Sequence, residues 1–273
     1  MVLLLSLLDN PIAVFDSGLG SLSVIKQLRK ELPCENLLYL ADERHFPYGK
    51  KTKQELLTKI TDVIRYLERY KPKLIVVASI TPSIQVLDQV KRASKIDVLG
   101  IILPLKNACK LTKKKHIGIM ATEGTISSRE LGALIKNQVP QNILVTRFNA
   151  SQVIGLVETG EYLHAERKTF DSISHALQFH GDLESHIDVL VLGSTHLPFI
   201  SNYIASLVPK IRLVDPVKLT VQEVRRHLAS NHMARKKGTG RTEILITSDK
   251  SRFEGIIRKL GMREVVKEIY LTF

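Results

Sequence analysis

Short apolar runs alternate along this chain with longer stretches whose apolar positions recur at helical spacing. The runs predict strands over Ile12–Phe15, Leu37–Leu40, Leu74–Ala78, Val98–Ile102, His116–Met120, Ile143–Arg147, Val189–Leu192, Arg212–Val214 and Glu243–Thr247. The periodic stretches predict helices over Leu22–Glu31, Lys53–Tyr70, Ile84–Ala93, Ser128–Asn137, Glu166–Phe179, Val217–Ser230 and Ser251–Leu260. Strand–helix alternation with continuously apolar strands predicts an α/β fold, its mostly parallel sheets covered on both faces by helices. Ligands of such sheets bind beyond the carboxyl ends of the strands, so strand tips are where chemistry is sought.

Four tips carry polar residues. AVFDSG places Asp16 and Ser17 after a strand, VVASIT places Ser79 and Thr81, GIMATEGT supplies Thr122 and Thr125, and VLVLGSTH supplies Ser194, Thr195 and His196. The second and fourth share one pattern, serine then threonine. The first and third share another, small polar residues then glycine. The alternation predicts two similar lobes, each contributing one tip of each kind. Asp and His at such places can do general acid–base work. Hydroxyls and backbone N–H groups at strand-to-helix turns bind carboxylates. For any single tip the plainer role is a helix N-cap, as expected of Ser127 and Ser128. Four tips of matching grammar favour a site for a small acidic metabolite.

Charge sharpens this picture. Lys and Arg number 40 against 27 acids, a formal net charge of +13. That balance favours anionic partners, whether small di-acids or nucleic acid. The basic residues are scattered, and the dense spots, Lys113–Lys115 and ARKKGTGR around Lys236, read as solvated faces and a mobile basic loop. No nucleic-acid motif accompanies them. The 273 residues are enough for one large or two modest domains, and 44% hydrophobic with 25% charged residues is a soluble globular composition. Two cysteines, Cys34 and Cys109, in no metal-binding spacing, fit a reducing cytoplasm and no metal. The opening MVLLLSLLDN is too short to span a bilayer and lacks signal-peptide features; it reads as a strand or tail lying on the body.

Other candidates fail on spacing. His164, His175, His180 and His186 do not recur at i, i+4 with a carboxylate. GLGS at Gly18–Ser21 is a fragment of a dinucleotide fingerprint without its downstream acid. Ser194 and His196 are i, i+2 neighbours outside any G-x-S-x-G elbow, which argues against a hydrolase triad.

The tips and their surroundings resemble the glutamate racemases of the aspartate/glutamate racemase superfamily. IAVFDSGLGSLSV is similar to that family's opening signature, through Asp16, Ser17, Gly18 and Gly20. ENLLYLADERHFPYG is similar to the next, through Asp42 and Pro47-Tyr48-Gly49, and ATEGTI to a further one, through Thr122 and Thr125. LVETG, with Glu158, LGSTHLPFI and TSDKSRFEGIIRKLG complete the likeness in order over nearly the whole chain. The resemblance implies two pseudo-symmetric α/β lobes with the site in the inter-lobe cleft, lobe one over 1–104 plus 214–273 and lobe two over 105–213. It implies an isomerase of amino-acid metabolism and cell-wall biogenesis that needs no cofactor. In that family two cysteines face the substrate from opposite sides and pass its α-proton as thiolate and thiol. Asp16 and His196 match the Asp and His behind them, and Glu158 the acid that partners the His. Ser17, Pro47, Tyr48, Gly49, Thr81, Thr122, Thr125 and Thr195 match substrate-binding positions, as do Asp16 and His196. The implied partner is a small acidic amino acid or di-acid, with no membrane; a homodimer is left open.

At the first cysteine motif, Cys-Asn-Thr in the family, this chain reads Ser79-Ile80-Thr81; at the second, Cys-Thr-His, it reads Ser194-Thr195-His196. A thiol ionises near ~8.5 and lower beside a cation; a serine hydroxyl ionises several units higher, and each unit costs about 1.4 kcal/mol. A two-serine racemase of normal turnover is therefore not expected. Four readings stay open. An acidic amino acid is processed with His196 or Asp16 as base and the serines as hydrogen-bond donors. A non-catalytic relative binds an acidic ligand or protein partner. Engineered Cys→Ser replacements trap a substrate complex, which leaves Ile80 unexplained. The basic charge serves nucleic acid, a reading that salt-sensitive DNA retention would support.

Overall fold

The computed structural model describes residues 8–178 and 182–271. The opening residues 1–7 of MVLLLSLLDN, His180 and the expected helix end at Phe179 lie outside that range. The chain divides into two compact units: one comprises the residues up to Ile101 and from Thr220 onward, and the other, inserted into it, spans Ile102–Leu219.

The discontinuous unit holds a six-stranded sheet of β1 (Ile12–Asp16), β2 (Leu37–Ala41), β3 (Leu74–Val77), β4 (Val98–Gly100), β9 (Thr242–Ile246) and β10 (Val266–Glu268), in the order β10-β9-β2-β1-β3-β4. The inserted unit holds β5 (His116–Ala121), β6 (Leu144–Asn149), β7 (Val189–Gly193) and β8 (Arg212–Val214), in the order β6-β5-β7-β8. Every strand pairing described is parallel. The predicted α/β class of two lobes with helix-covered parallel sheets is thus found. Strands β1, β2, β3 and β7 are buried along their whole length, as unbroken apolar runs require.

Pleating sends alternate side chains to opposite faces. Ala13, Phe15, Leu38, Leu40, Ile75 and Val77 pack with Leu56, Ile60, Val63 and Leu67 of the helix Lys53–Glu68. That helix starts at Thr52, whose side chain accepts from Glu55 N while Glu55 answers to Thr52 N, a capping box. On the other face Tyr39 meets Phe253 of the helix Lys250–Lys259, ring centroids 6.4 Å apart.

Three expectations need correcting. The helix predicted from Ile84 starts at Ile80 and breaks at Val86, giving Ile80–Gln85 and Leu87–Ala93. Its first turn is short of charge, so periodicity did not betray it. The helices Leu105–Leu111 and Ser151–Glu158 and the strand β10 were not foreseen; each is short, where pattern is weakest. ARKKGTGR, expected as a free basic loop, is anchored at both ends. Arg235 N donates to Glu35 Oε1 at 2.8 Å, Gly240 N to Pro33 O at 2.9 Å and Leu37 N to Arg241 O at 2.8 Å. A Cβ on Gly240 would lie 1.9 Å from Glu35 O, so only glycine permits this approach. Beneath it the buried Lys73 and Glu35 pair at 2.5 Å, and Lys73 also donates to Leu8 O and Met233 O. No helix among the described residues is long and apolar enough to cross a membrane.

Candidate functional site

Parallel strands bring their carboxyl ends to one edge of each sheet. In the larger sheet the register sets Asp16 beside Ala41 and Phe15 beside Val77, and Thr247 N bonds Ala41 O at 3.1 Å. The residues that end or follow β9, β2, β1 and β3 therefore form a row: Thr247, Asp42, Asp16 and Ser79. All four are buried.

Asp42 organises one end of this row. Its carboxylate accepts from Tyr48 OH at 2.9 Å and Thr247 Oγ1 at 3.3 Å, and both of its oxygens lie 2.9 Å from His45 Nδ1. Facing a carboxylate, that nitrogen carries the proton. Burial, with the Asp42 and Asp16 charges, pushes the Tyr48 phenol well above its ordinary range, so it stays a donor. The segment anchored is Phe46–Pro47–Tyr48–Gly49, with a cis bond before Pro47 and a 3-10 turn over Tyr48–Lys50. Asp42 appeared only as a matched motif position. A carboxylate with no exposed surface and three side-chain donors was not visible in one sequence, because Thr247 lies 205 positions away.

Ser79 stands at the N-cap of Ile80–Gln85, yet its hydroxyl does not cap. The cap reading is overturned there. Its backbone is braced instead: Ser83 Oγ donates to Ser79 O at 2.6 Å, and Ser21 Oγ to the Ala78 carbonyl just before it at 2.8 Å. Thus Ser21, from the GLGS stretch, serves as scaffold. Asp16 accepts from Ser17 N at 2.6 Å and Ser17 Oγ at 3.4 Å. Ile80 and Thr81 are buried in the helix's first turn.

The inserted unit presents a different arrangement. β7 ends at Gly193, paired with Ala121, so Thr122 and Ser194 follow adjacent strand ends. Thr122 Oγ1 donates to Thr125 Oγ1 at 3.0 Å, and Ser128 caps its helix through Leu131 N at 3.1 Å, as expected of it. Thr195 is buried between Ser194 and His196. Ser194 Oγ lies 3.3 Å from His196 Nδ1 and accepts from His196 N, also at 3.3 Å. His196 Nε2 lies 2.7 Å from Glu158 Oε2, both side chains being at most 5% exposed. Glu158 arrives from the end of Ser151–Glu158, the helix that periodicity missed. Carboxylate oxygen accepts only, so Nε2 carries a proton; when the ring is neutral, Nδ1 turns its lone pair toward Ser194. A serine, an imidazole and a carboxylate thus lie in line.

No thiol substitutes for the serines. Cys34 and Cys109 are half-buried, away from every strand tip, and burial pushes the Cys109 thiol above its ordinary range.

The Asp/Glu/Hydantoin racemase family model matches residues 21–224. A glutamate racemase from Shewanella frigidimarina is 35% identical over 84% of this chain and 88% of its own length. Among solved structures, the glutamate racemase from Thermus thermophilus in complex with β-chloro-D-alanine superposes with a TM-score of 0.82 at 30% identity, covering 97% of this chain and 98% of that one. A glutamate racemase isoform from Bacillus anthracis gives 0.84 at 26% identity, covering 95% and 97%. The match extends over both units, and the chain belongs to the Asp/Glu/Hydantoin racemase family as a glutamate racemase-like protein.

Proposed function

We propose that this protein binds a small acidic amino acid, glutamate in the first instance, and exchanges its α-proton from one side, with inversion much slower than exchange. The observation that carries this reading is the line Ser194 Oγ–His196–Glu158, with separations of 3.3 and 2.7 Å. As the α-carbon gives up its proton to Ser194 Oγ, the hydroxyl proton passes to His196 Nδ1, and the imidazolium that forms is held by Glu158. The His196 N–H at Oγ favours the oxygen while it is electron-rich. Reversal of the same steps returns a proton to the same face, so configuration is retained. Inversion requires a second proton donor, for which Ser79 is the group that matches by resemblance; among the described residues its hydroxyl has no base bonded to it. The relatives named glutamate racemase support the substrate class. Asp16, Ser17, the Pro47–Tyr48–Gly49 turn, Thr81, Thr122, Thr125 and Thr195 bind the substrate's charged groups in this reading. No cofactor takes part.

The test is to incubate the purified chain with L-glutamate, then D-glutamate, in deuterated water. Loss of the α-proton signal without accumulation of the other enantiomer is the expected result. Brisk interconversion of the two, or no exchange at all with saturable binding, removes the proposal.

A further inference from the structure

Beside the Asp42 cluster, a cavity of about 130 Å³ opens between the helix Lys53–Glu68 and the turn over Glu43–His45. Its lining is Arg44, His45, Lys59, Asp62, Thr247 and Leu271. Three of the four ionisable groups are basic. Lys59 is partly buried and makes no ion pair or hydrogen bond among the described residues. Arg44 is already oriented: its guanidinium lies 5.5 Å from the Tyr270 ring centre, and Nη2 is 3.4 Å from Thr247 O. The single acid, Asp62, has Arg65 at 4.0 Å as partner. A larger hollow of about 680 Å³ lies beside the basic strap, but there Arg235 is already paired with Asp9, and Lys236 and Lys237 are exposed.

We propose that the cavity lined by Arg44, His45 and Lys59 is a binding site for a small oxyanion of the phosphate or carboxylate type. Its volume admits one tetrahedral or planar anion and no nucleotide. Arginine supplies a planar fork of donors and lysine a point charge, the usual pair for such anions. The site shares a wall with the Tyr48 turn, because His45 and Thr247 line the cavity and also hold Asp42. An anion drawn onto Arg44 and Lys59 thus acts on the residues that anchor Pro47–Tyr48–Gly49. That coupling, though not the site, rests on the proposed function.

Inorganic phosphate and, separately, acetate are titrated into the full ¹⁵N-labelled chain at constant ionic strength, following the Arg44, His45 and Thr247 amides by NMR. Saturable shifts with either anion support the site, and their relative affinities rank the two ligand types. Lys59→Ala and Arg44→Ala are each expected to weaken binding at least fivefold; Lys59→Gln replaces the former if it does not fold. Shifts that fail to saturate and match those from chloride, or binding that both variants leave unchanged, overturn the proposal. L-Glutamate titrated into the same samples, read at Thr122 and Thr195, separates the two readings. Phosphate saturation without a glutamate response leaves this site standing and removes the proposed function; the converse removes this site alone.

Discussion

Ser79 and Ser194 occupy like positions, each one residue after a small residue that follows or ends a buried parallel strand, Ala78 in one unit and Gly193 in the other. Their surroundings differ. Ser194 has an imidazole at 3.3 Å and, behind that, a buried carboxylate. Ser79 has a braced backbone and a hydroxyl with no base attached among the described residues. With thiols in both places the asymmetry would matter less, because a thiol ionises with modest help. Oxygen makes it decisive, since a hydroxyl needs a base in contact to act at neutral pH. Two tips of the same grammar thus have different chemical capacity.

The sharpest way to break this comparison is to restore sulfur. Ser79→Cys with Ser194→Cys and Ile80→Asn is expected to raise glutamate racemisation about a thousandfold or more, given tenfold for each unit of easier ionisation. A folded triple variant that stays inactive in a circular-dichroism assay of D- and L-glutamate counts against the site. Removing the base comes next. His196→Asn should slow α-deuterium exchange roughly a hundredfold, and Asp16→Asn by much less; equal losses, measured by proton NMR, would erase the inequality between the two serine tips. The residues before the serines can then be exchanged for one another. A Cβ on Gly193 would meet Met120 O at 2.9 Å and Ala121 Cβ at 2.8 Å, so Gly193→Ala should cost about 2 kcal/mol in urea unfolding. Ala78 already carries a Cβ. Glu158→Gln leaves a neutral partner for Nε2 and should slow exchange about tenfold, with glutamate affinity unchanged by calorimetry.

The smallest effect concerns pH. The folded Tyr48 phenol ionises above its unfolded counterpart, so the folded state keeps a proton that the unfolded state loses. Stability tied to Tyr48 is therefore present below about pH 10 and declines as pH rises past the unfolded value. Tyr48→Phe should be less stable at neutral pH, through loss of the bond to Asp42, and show a shallower decline above about pH 10 in thermal melts.

Much of the fold was legible because it rests on local rules. Short unbroken apolar runs bounded by turn residues, such as Val189–Leu192, read as strands buried on both faces, and the helices between them advertise their period. The short helices Leu105–Leu111 and Ser151–Glu158 escaped because two turns carry too few positions for a period to stand out. The anchoring of ARKKGTGR at its ends escaped for a related reason. Charge predicts exposure, but the bonds fastening Arg235 and Gly240 run to residues some 200 positions earlier.

The sequence by itself determined the strand tips, the order of the motifs and the presence of oxygen where the resembling family carries sulfur, since these are properties of residue type and spacing. Only the tertiary structure decided which serine is served by a base and which carboxylate anchors the Tyr48 turn. His196 meets Glu158 across 38 positions, and Asp42 meets Thr247 across 205. Whether a proton can move depends on a few ångströms between atoms that lie far apart along the chain, and packing alone sets those distances.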